Sequence, residues 1–351
     1  MKKLIYIGSI KHRNKKKTTF GGEHAKNIYI LNYLKEKGFK ISIVDIELYK
    51  TYNPINSLIL ILKLITSFLL PLPKLIIVSK YPIGGGMLLK FARILNIWRK
   101  KIIYIVIGGD IAEHLENGTL NIENFNFLNY ILVESKSIKK KLEKLGFKNV
   151  LHMPNSKNVF EIKSNYSKPN DPLKLVYLSR IMPEKGIEFL IEALEKINKE
   201  KIKYTLDIYG PIDRTYDERR FLNLVKKNSK YISYKGFLDM SKKESYEILN
   251  MYDLFVFPTF FDGEGYPGAL IDTMIAEVPV IASDWKYNSE IVNDRIGYLF
   301  ETKNENDFIE KLEYIYNNKD ELLEKRKNLK TEKWKYDNEN VLSVLLDLIE
   351  I

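Results

Sequence analysis

The sequence contains no cysteine and only four histidines among its 351 residues. Without cysteine the chain can form no disulfide bond and no reactive thiolate, which fits a reducing, cytoplasmic compartment. The sequence also lacks an Asp-x-Asp motif and any cluster of histidines of the kind that binds metal ions. We therefore expect no bound metal ion and no tightly held cofactor.

Long hydrophobic runs are also missing. The longest one, Leu58–Leu70, is interrupted by Lys63 and is shorter than the roughly 20 residues that a membrane-spanning helix needs. We favour a buried helix that leads into a strand at Leu75–Val78, and shallow contact with a membrane surface is the alternative. The segment Met1–Gly8 is basic but has no long apolar core or cleavage site, so we interpret it as a first β-strand rather than a signal peptide.

The net charge of +11 is concentrated in the first half of the chain. Residues 1–160 contain 27 Lys or Arg and 10 Asp or Glu, a net charge of +17, whereas the remaining residues carry a net charge of −6. This asymmetry indicates an anionic partner, such as nucleic acid, a phospholipid surface or a phosphorylated acceptor, although a lysine-rich background explains it equally well. No helix-turn-helix, RNA-binding or zinc-finger signature accompanies the basic residues, so we expect no nucleic-acid partner.

Short apolar strands alternate with helical segments in both halves, which predicts parallel sheets covered by helices. The predicted strands are Leu4–Gly8, Ile41–Asp45, Leu75–Ser79, Ile102–Ile107, Tyr130–Val133, Leu175–Leu178, Tyr204–Tyr209, Ile232–Lys235, Leu254–Phe257 and Val280–Ser283. The polar segment Asn155–Pro172 interrupts the pattern as a linker. We therefore predict two doubly wound, Rossmann-like α/β domains facing across a cleft, at residues 1–160 and 170–334, with a helix at 335–351 packed back onto the first.

Ligands of such sheets bind in the loops beyond the carboxyl ends of the strands. These loops are Gly8–Gly22, Gly108–Asp110, Ser179–Lys185, Gly210–Asp213, Pro258–Gly268 and Ser283–Glu290. Arg180 ends a strand and Lys185 lies where the next helix begins, so both cations and the helix N–H groups could bind a pyrophosphate. Two ordinary surface cations are the plainer interpretation of that loop alone. Gly210 fits a turn that passes close to a ligand, or a simple turn.

The most informative segment is Phe260–Asp272, in which three glycines flank Glu264 between a strand and a helix. Pro267 suits the first turn of that helix, and the backbone N–H groups of the loop can face anionic or hydroxyl-rich ligand atoms. Glu264 in the loop and Asp272 in the helix suit hydrogen bonds to the vicinal hydroxyls of a sugar or a ribose. A turn residue and a solvated helix residue are the generic alternatives.

The stretch Phe257–Val292 resembles the signature of the retaining GT-B glycosyltransferases of family 4, a large glycogen-synthase-like group. The matching positions are Glu264–Gly268, Asp272–Met274 and Val278–Ser283, together with Arg180, Lys185, Gly21 and Gly22. The resemblance spans most of the chain and is specific mainly between residues 174 and 300. The sequence departs from the family pattern at Asp272, where the family usually has glutamate, and at Glu277, where a small residue is usual.

The resemblance implies an enzyme that moves a hexose-type sugar from a nucleotide-diphosphate donor to a saccharide hydroxyl, with retention of configuration and without a metal ion. Uridine diphosphate is the expected donor handle. Arg180 and Lys185 would neutralise the departing diphosphate, and Glu264 would hold the donor sugar. The donor-binding residues that it implies are Gly21, Gly22, Gly210, Gly265, Tyr266, Pro267, Gly268, Ala269 and Asp272.

The first domain offers further candidates near the carboxyl ends of its strands. Asp110 is a candidate catalytic residue, and His24 and His114 are candidates for contact with the acceptor, although structural histidines are common. Trp285 or Tyr287 of the second domain could stack on the base. We expect the basic domain to bind a saccharide acceptor linked to a lipid pyrophosphate, at the inner face of the membrane, in the assembly of a surface polysaccharide or glycoconjugate.

Three alternative functions remain at this stage. A nucleotide-sugar 2-epimerase on the same scaffold would release an epimerised sugar without an acceptor. A basic nucleic-acid-binding protein would bind random DNA in a salt-sensitive manner and would show no affinity for nucleotides. A dinucleotide dehydrogenase is disfavoured because no compact Gly-x-Gly-x-x-Gly turn follows the first strand.

Overall fold

A computed structural model describes residues 3–10, 22–47, 54–73, 75–164 and 167–350 of the chain. Gly21 and the lysine run Lys15–Lys17 lie outside the described residues. Contacts divide the chain into two units. The first unit comprises Met1–Lys157 and Asn338–Ile351, and the second comprises Asn158–Asp337.

The described part of the first unit contains a six-stranded parallel sheet in the order β2-β1-β3-β4-β5-β6. Its strands are β1 (Lys3–Gly8), β2 (Lys40–Asp45), β3 (Leu75–Lys80), β4 (Lys101–Val106), β5 (Tyr130–Val133) and β6 (Val150–His152). Its first five helices are α1 (Gly22–Glu36), α2 (Pro54–Leu69), α3 (Pro82–Leu95), α4 (Ile111–Glu116) and α5 (Lys136–Lys144). The strand order reverses between β1 and β3, as in doubly wound folds.

The second unit contains another six-stranded parallel sheet among its described residues, in the order β12-β11-β10-β7-β8-β9. Its strands are β7 (Leu173–Leu178), β8 (Tyr204–Tyr209), β9 (Ile232–Gly236), β10 (Leu254–Phe257), β11 (Val280–Ser283) and β12 (Gly297–Phe300). Its helices are α6 (Ile187–Ile197), α7 (Glu218–Lys227), α8 (Lys243–Leu249), α9 (Gly268–Ile275), α10 (Asn288–Ile291), α11 (Glu305–Asn317) and α12 (Glu321–Glu332). Here the order reverses between β7 and β10, so a ligand crevice is expected beyond the carboxyl ends of these two strands.

Strand β7 of the second sheet contributes to two hydrophobic cores. Val176 and Leu178 of β7 lie in one buried cluster, while Leu175 and Tyr177 lie in the other. Successive side chains of a strand point to opposite faces, so the apolar run places half of its residues in each core. The sheet is therefore covered on both faces and leaves its functional groups to the loops at the strand ends.

The last helix, α13 (Asn338–Glu350), belongs to the first unit. Its apolar residues at helical spacing, Leu342 and Leu345 among them, are buried in the same core as Leu4 and Tyr6 of β1. Lys37, just beyond the end of α1, forms an ion pair with Glu339 of α13 at 2.6 Å. The second unit is thus inserted between two segments of the first unit, and α13 completes the hydrophobic core of the first unit.

The predicted fold class, two Rossmann-like α/β domains, is confirmed. The sequence patterns did not indicate β6, β12, α4, α10 or α12, of which four are six residues or shorter. The sequence pattern predicts a helix over Met87–Ile97, because the three glycines at 84–86 have low helix propensity, whereas α3 begins at Pro82 and includes these glycines in its first turns.

The helix predicted at Leu58–Leu70 is present, but the prediction that it is buried is wrong. Helix α2 covers Pro54–Leu69 and buries Leu60 and Phe68, whereas Ile55 and Leu58 are 67% and 57% exposed. The sequence did not predict which face of α2 is buried and which is exposed, because both faces are apolar and hydrophobic periodicity cannot distinguish them. Within the described ranges, the chain has no helix long and apolar enough to cross a membrane.

Candidate functional site

Two cations of the second unit follow strand β7, at the switch point of the sheet. Between Arg180 and helix α6 the chain makes a short 3₁₀ turn, Pro183–Lys185. Gly186 then adopts a φ of +76°, and a Cβ there would lie 2.1 Å from the carbonyl oxygen of Pro258. Only glycine fits such a left-handed position against another backbone, so the loop after β7 is fixed against the loop after β10.

Lys185 and Glu264 form a buried ion pair between these two loops. Their residues are 7% and 8% exposed, and Lys185 Nζ bonds to Glu264 Oε2. The hydroxyl of the fully buried Thr259 also donates to Glu264 Oε2, at 2.9 Å. Because the carboxylate is oriented by a cation and a hydroxyl, its position is set before any ligand arrives.

Burial lowers the pKa of Lys185, and the neighbouring Glu264 carboxylate partly offsets that effect. The nearby Arg180 guanidinium lowers the pKa of Lys185 further. Both effects disfavour the charged form of Lys185. An anionic ligand placed against the two cations would favour that charged form and so raise the pKa of Lys185 again. The arrangement is therefore suited to binding an anion such as a diphosphate.

The ring of Phe261 lies beside both cations. Its centroid is 4.7 Å from Lys185 Nζ and 5.8 Å from the guanidinium carbon of Arg180. The indole N–H of Trp285 donates to the carbonyl oxygen of Phe261 at 2.9 Å. Sequence reasoning gave Phe261 no role, and it considered Trp285 only as a partner for a nucleotide base. No local sequence signal connected Phe261 with Arg180 and Lys185, because the residues are far apart in the chain.

Arg180 itself is half exposed and is held by Asp213, whose Oδ2 accepts from Arg180 Nη1 at 3.1 Å. Asp213 follows Gly210, the glycine predicted to lie close to a ligand. Gly210 has a φ of +136°, and a Cβ there would lie 1.7 Å from the carbonyl oxygen of Ser179. Gly210 therefore serves the close packing of the β8 loop against the loop that carries Arg180.

The glycine-rich loop ends at helix α9. Pro267 precedes the helix with an extended backbone, Gly268 begins it and Ala269 follows, so the first N–H groups of α9 lack partners within the helix. Glu264 lies four residues before this helix, and Gly265 lies between the carboxylate and the helix start. Tyr266 points elsewhere: its ring is buried in the core and its hydroxyl lies 3.0 Å from that of Tyr336.

Asp272 is buried within α9 rather than solvated. The hydroxyl of Tyr246 donates to Asp272 Oδ1 at 3.0 Å, and the tyrosine ring packs against Phe160. Tyr246 lies in α8, two elements away in the chain, and no sequence signal connected it with Asp272. The generic interpretation of Asp272 as a solvated helix residue is thus excluded.

Two candidates of the first unit, Asp110 and His114, both contact Tyr81, whereas His24 lies beside Glu47. Asp110 precedes α4 and accepts a hydrogen bond from Tyr81 at 2.7 Å. The ring of His114 meets that of Tyr81 edge to face, and neither ring nitrogen of His114 has a hydrogen-bond partner in the described structure. His24 Nε2 lies 3.8 Å from Glu47 Oε1. Gly22 begins α1, and Gly21 lies outside the described residues.

The geometry of the second unit agrees with comparisons to known proteins. Residues 158–335 match the family described as glycosyl transferases group 1. The chain is 29% identical over 206 residues to the poly(ribitol-phosphate) alpha-N-acetylglucosaminyltransferase of Staphylococcus aureus (strain COL), covering 56% of this chain and 38% of that protein. It is 28% identical over 151 residues to the capsular polysaccharide biosynthesis glycosyltransferase CapM of Staphylococcus aureus, covering 42% and 38%. The chain thus spans well under half the length of these two relatives.

A solved structure supplies the likeness in fold. The crystal structure of Anabaena Alr3699/HepE in complex with UDP has a TM-score of 0.74 at 14% identity and covers 100% of each chain. The fold is that of the GT-B glycosyltransferases. The comparisons lend no support to the epimerase alternative. The chain belongs to the group 1 glycosyl transferases.

Proposed function

We propose that the protein is a glycosyltransferase that moves a hexose-type sugar from a nucleotide-diphosphate donor to a hydroxyl of a saccharide acceptor. We further propose that it belongs to the retaining type, family 4, works without a metal ion, and uses a uridine diphosphate sugar. The solved neighbour Alr3699/HepE was crystallised with UDP, which supports that choice of donor. The matched relatives are named for transfer of N-acetylglucosamine to poly(ribitol-phosphate) and for synthesis of capsular polysaccharide, which supports a role in surface glycopolymer assembly.

One observation carries the proposal: a buried lysine and a buried glutamate meet at the switch point of the second sheet. The neighbouring cations and carboxylate suit a ligand in which an anionic group lies next to a hydroxyl-bearing group, as in a nucleotide sugar. Lys185 with the half-exposed Arg180 meets the first requirement, and Glu264 meets the second. Keeping the charge of Lys185 at a largely desolvated position costs folding energy, which favours a functional over a purely structural role.

The proposed roles follow from these positions. Arg180 and Lys185 neutralise the diphosphate as it departs, and they supply the positive charge that a metal ion provides elsewhere. Glu264 accepts hydrogen bonds from hydroxyls of the donor sugar. The N–H groups at the start of α9 face the diphosphate of the donor. Asp272, oriented by the Tyr246 hydroxyl, contacts the ribose.

In the proposed retaining mechanism, the departing phosphate takes the proton of the acceptor hydroxyl on the same face of the sugar. The chain then contributes positioning and charge stabilisation of an oxocarbenium-like state rather than a nucleophile. Asp110, His24 and His114 are proposed contacts on the acceptor side. We also propose that the basic first unit takes an acceptor linked to a lipid pyrophosphate, at the inner face of a membrane.

The test replaces each member of the buried pair. Glu264→Gln and Lys185→Met are each expected to lower sugar transfer by about a hundredfold or more, as loss of one electrostatic contact to a transition state does. Lys203→Met and Glu313→Gln serve as matched controls, since these residues form a partly exposed ion pair at 2.8 Å in the same unit. The controls are expected to keep full activity.

Binding is measured separately, by thermal shift with a panel of nucleotide sugars, because ligand binding raises stability by mass action. Far-UV circular dichroism verifies that each variant is folded. Folded Glu264→Gln and Lys185→Met proteins with the activity of the controls would remove the proposed site. Release of an epimerised sugar without an acceptor would instead revive the epimerase hypothesis.

A further inference from the structure

The first unit exposes two apolar helix faces side by side. We define the α2–α3 face by six exposed residues, Ile55, Leu58, Leu62, Met87, Phe91 and Ile94. Helices α2 and α3 contact each other. The indole N–H of Trp98, just after α3, donates to the carbonyl oxygen of Leu69, the last residue of α2, at 2.7 Å. The two helices therefore present one surface.

Each helix has an apolar stripe on this surface in addition to the one that it buries. On α3 the buried stripe includes Leu89 and Ala92, whereas Met87, Phe91 and Ile94 are spaced by four and three positions on the exposed side. Ile94 is 70% exposed. A helix in a soluble protein normally turns a polar face outward, and a large exposed apolar patch marks an interaction site.

The charges around the face are predominantly positive. From Leu48 to Gly109 the sequence contains no Asp or Glu but nine Lys or Arg. Four of these cations, Lys63, Lys90, Arg93 and Arg99, have exposed side chains on or just after the two helices, and Arg93 forms an ion pair with the exposed Glu123 at 2.7 Å. Long basic side chains can cover apolar surface with their stems and direct their charges to phosphate groups. An apolar centre with a predominantly cationic border complements an anionic surface with an apolar interior.

We propose that the α2–α3 face docks on the surface of a bilayer that contains anionic phospholipids. Isoleucine, leucine, methionine and phenylalanine side chains enter the boundary between headgroups and acyl chains, and Lys63, Lys90 and Arg99 contact the phosphates. Trp98 lies at the end of α3, and indole rings favour the interfacial region of a membrane. A symmetric dimer through this face is disfavoured, because it would oppose two surfaces on which cations outnumber carboxylates.

This inference deepens the proposed function, since it rests on an acceptor that is linked to a lipid. The bilayer would supply the acceptor, and docking would bring the first unit to the plane in which the acceptor diffuses. Catalysis and docking nevertheless involve different residues. The donor-site groups lie in the second unit, and the face lies in the first.

The test is flotation of the full chain with vesicles, in the absence of donor and acceptor. Vesicles of phosphatidylcholine with phosphatidylglycerol are compared with vesicles of phosphatidylcholine alone, at low and high salt. The chain is expected to float with the anionic vesicles at low salt and to bind less at high salt. The variant Met87→Ser/Ile94→Ser is expected to lower the partition coefficient about tenfold or more, because two exposed apolar side chains no longer insert.

Charge is tested by Lys63→Glu/Lys90→Glu, for which a similar loss is expected. The matched controls are Leu222→Ser/Met251→Ser, exposed apolar residues of the second unit, and Lys140→Glu/Lys141→Glu, exposed lysines of α5. Both controls are expected to float like the unchanged chain. All variants change exposed side chains, so their folds and their thermal shifts with UDP are expected to be unaffected.

Three results would overturn the proposal. The first is no flotation of the unchanged chain with anionic vesicles at low salt. The second is equal flotation of the face variants and their controls. The third is a concentration-dependent dimer that Met87→Ser/Ile94→Ser abolishes, which would identify the face as a contact between copies. A chain that fails to float but binds UDP and transfers sugar to a soluble acceptor would leave the proposed function intact.

Discussion

Glu277 and Lys333 form an ion pair in the second unit that no solvent reaches. Both side chains are fully buried, and Lys333 Nζ lies 2.9 Å from Glu277 Oε1. Lys333 also donates to the carbonyl oxygen of Phe160 at 3.1 Å, and Ser164 donates to Glu277 Oε2 at 2.5 Å. The pair thus joins three distant parts of the chain: the segment before β7, the end of α9 and the turn after α12.

Removal of one partner leaves the other charge buried and uncompensated. Lys333→Met or Glu277→Gln is therefore expected to lower the free energy of unfolding of the second unit by about 3–5 kcal/mol. The double variant Lys333→Met/Glu277→Gln buries neither charge, so its loss should fall well short of the sum of the single losses. The expected coupling is at the upper end of the range of about 0.5–3 kcal/mol known for contacting residues.

Hydrogen exchange of the β10 and β11 amides measures this loss within the full chain, because central strands exchange only when the whole unit opens. The β3 and β4 amides of the first unit provide an internal control and should not change. Two outcomes would refute the reasoning: single variants that lose less than about 1 kcal/mol, or a double variant whose loss equals the sum.

Three further predictions concern the donor site. Because burial lowers the pKa of Lys185, affinity for UDP should fall as pH rises through that lowered pKa, while Lys185→Met should bind weakly and independently of pH by calorimetry. The stability of the ligand-free protein should depend on pH in the opposite direction. Burial makes protonation of Lys185 less favourable in the folded than in the unfolded state, so stability rises with pH between the lowered pKa and the usual value of about 10.4. A fall in stability over that range would contradict the assignment. Gly186→Ala should destabilise the protein by about 1–3 kcal/mol and lower Tm by several degrees, because Cβ meets Pro258 at a positive φ; an unchanged Tm in calorimetry would count against the strained turn. Tyr246→Phe should cost about 1–3 kcal/mol through Asp272 and weaken binding of UDP more than that of pyrophosphate; equal weakening of both ligands would argue against a ribose contact.

The sequence predicts the sheets well because buried parallel strands are almost entirely apolar. Strand β10 (Leu254–Phe257) and strand β11 (Val280–Ser283) are recognisable as short apolar runs bounded by polar or proline residues. Helix α12 is not recognisable in the sequence, because only Leu322 and Leu329 among its apolar residues are fully buried and its other positions are mostly charged. Its place in the fold depends on tertiary contacts that no local pattern expresses.

The candidate site divides in the same way. The types and spacing of Arg180, Lys185 and Glu264 are visible in the sequence, and the structure brings the three residues together. The contact of Tyr246 with Asp272 joins two residues 26 positions apart in the chain, on different helices, so it could not be predicted from spacing. Glu277 had no functional interpretation in the sequence, and its contact with Lys333 explains the acidic residue at that position.

The path of the chain between the two units has a consequence for folding during synthesis. Helix α13 is made after the entire second unit, yet its leucines fill the core that strands β1 to β6 begin. At about 5–20 residues per second, that core waits many seconds for its last helix while the second unit emerges. The first unit therefore spends this interval with an open apolar groove beside α1, and it closes only after its neighbour has been synthesised. A nascent chain stalled before Asn338 should accordingly bind chaperones through its first unit and release them once α13 is made.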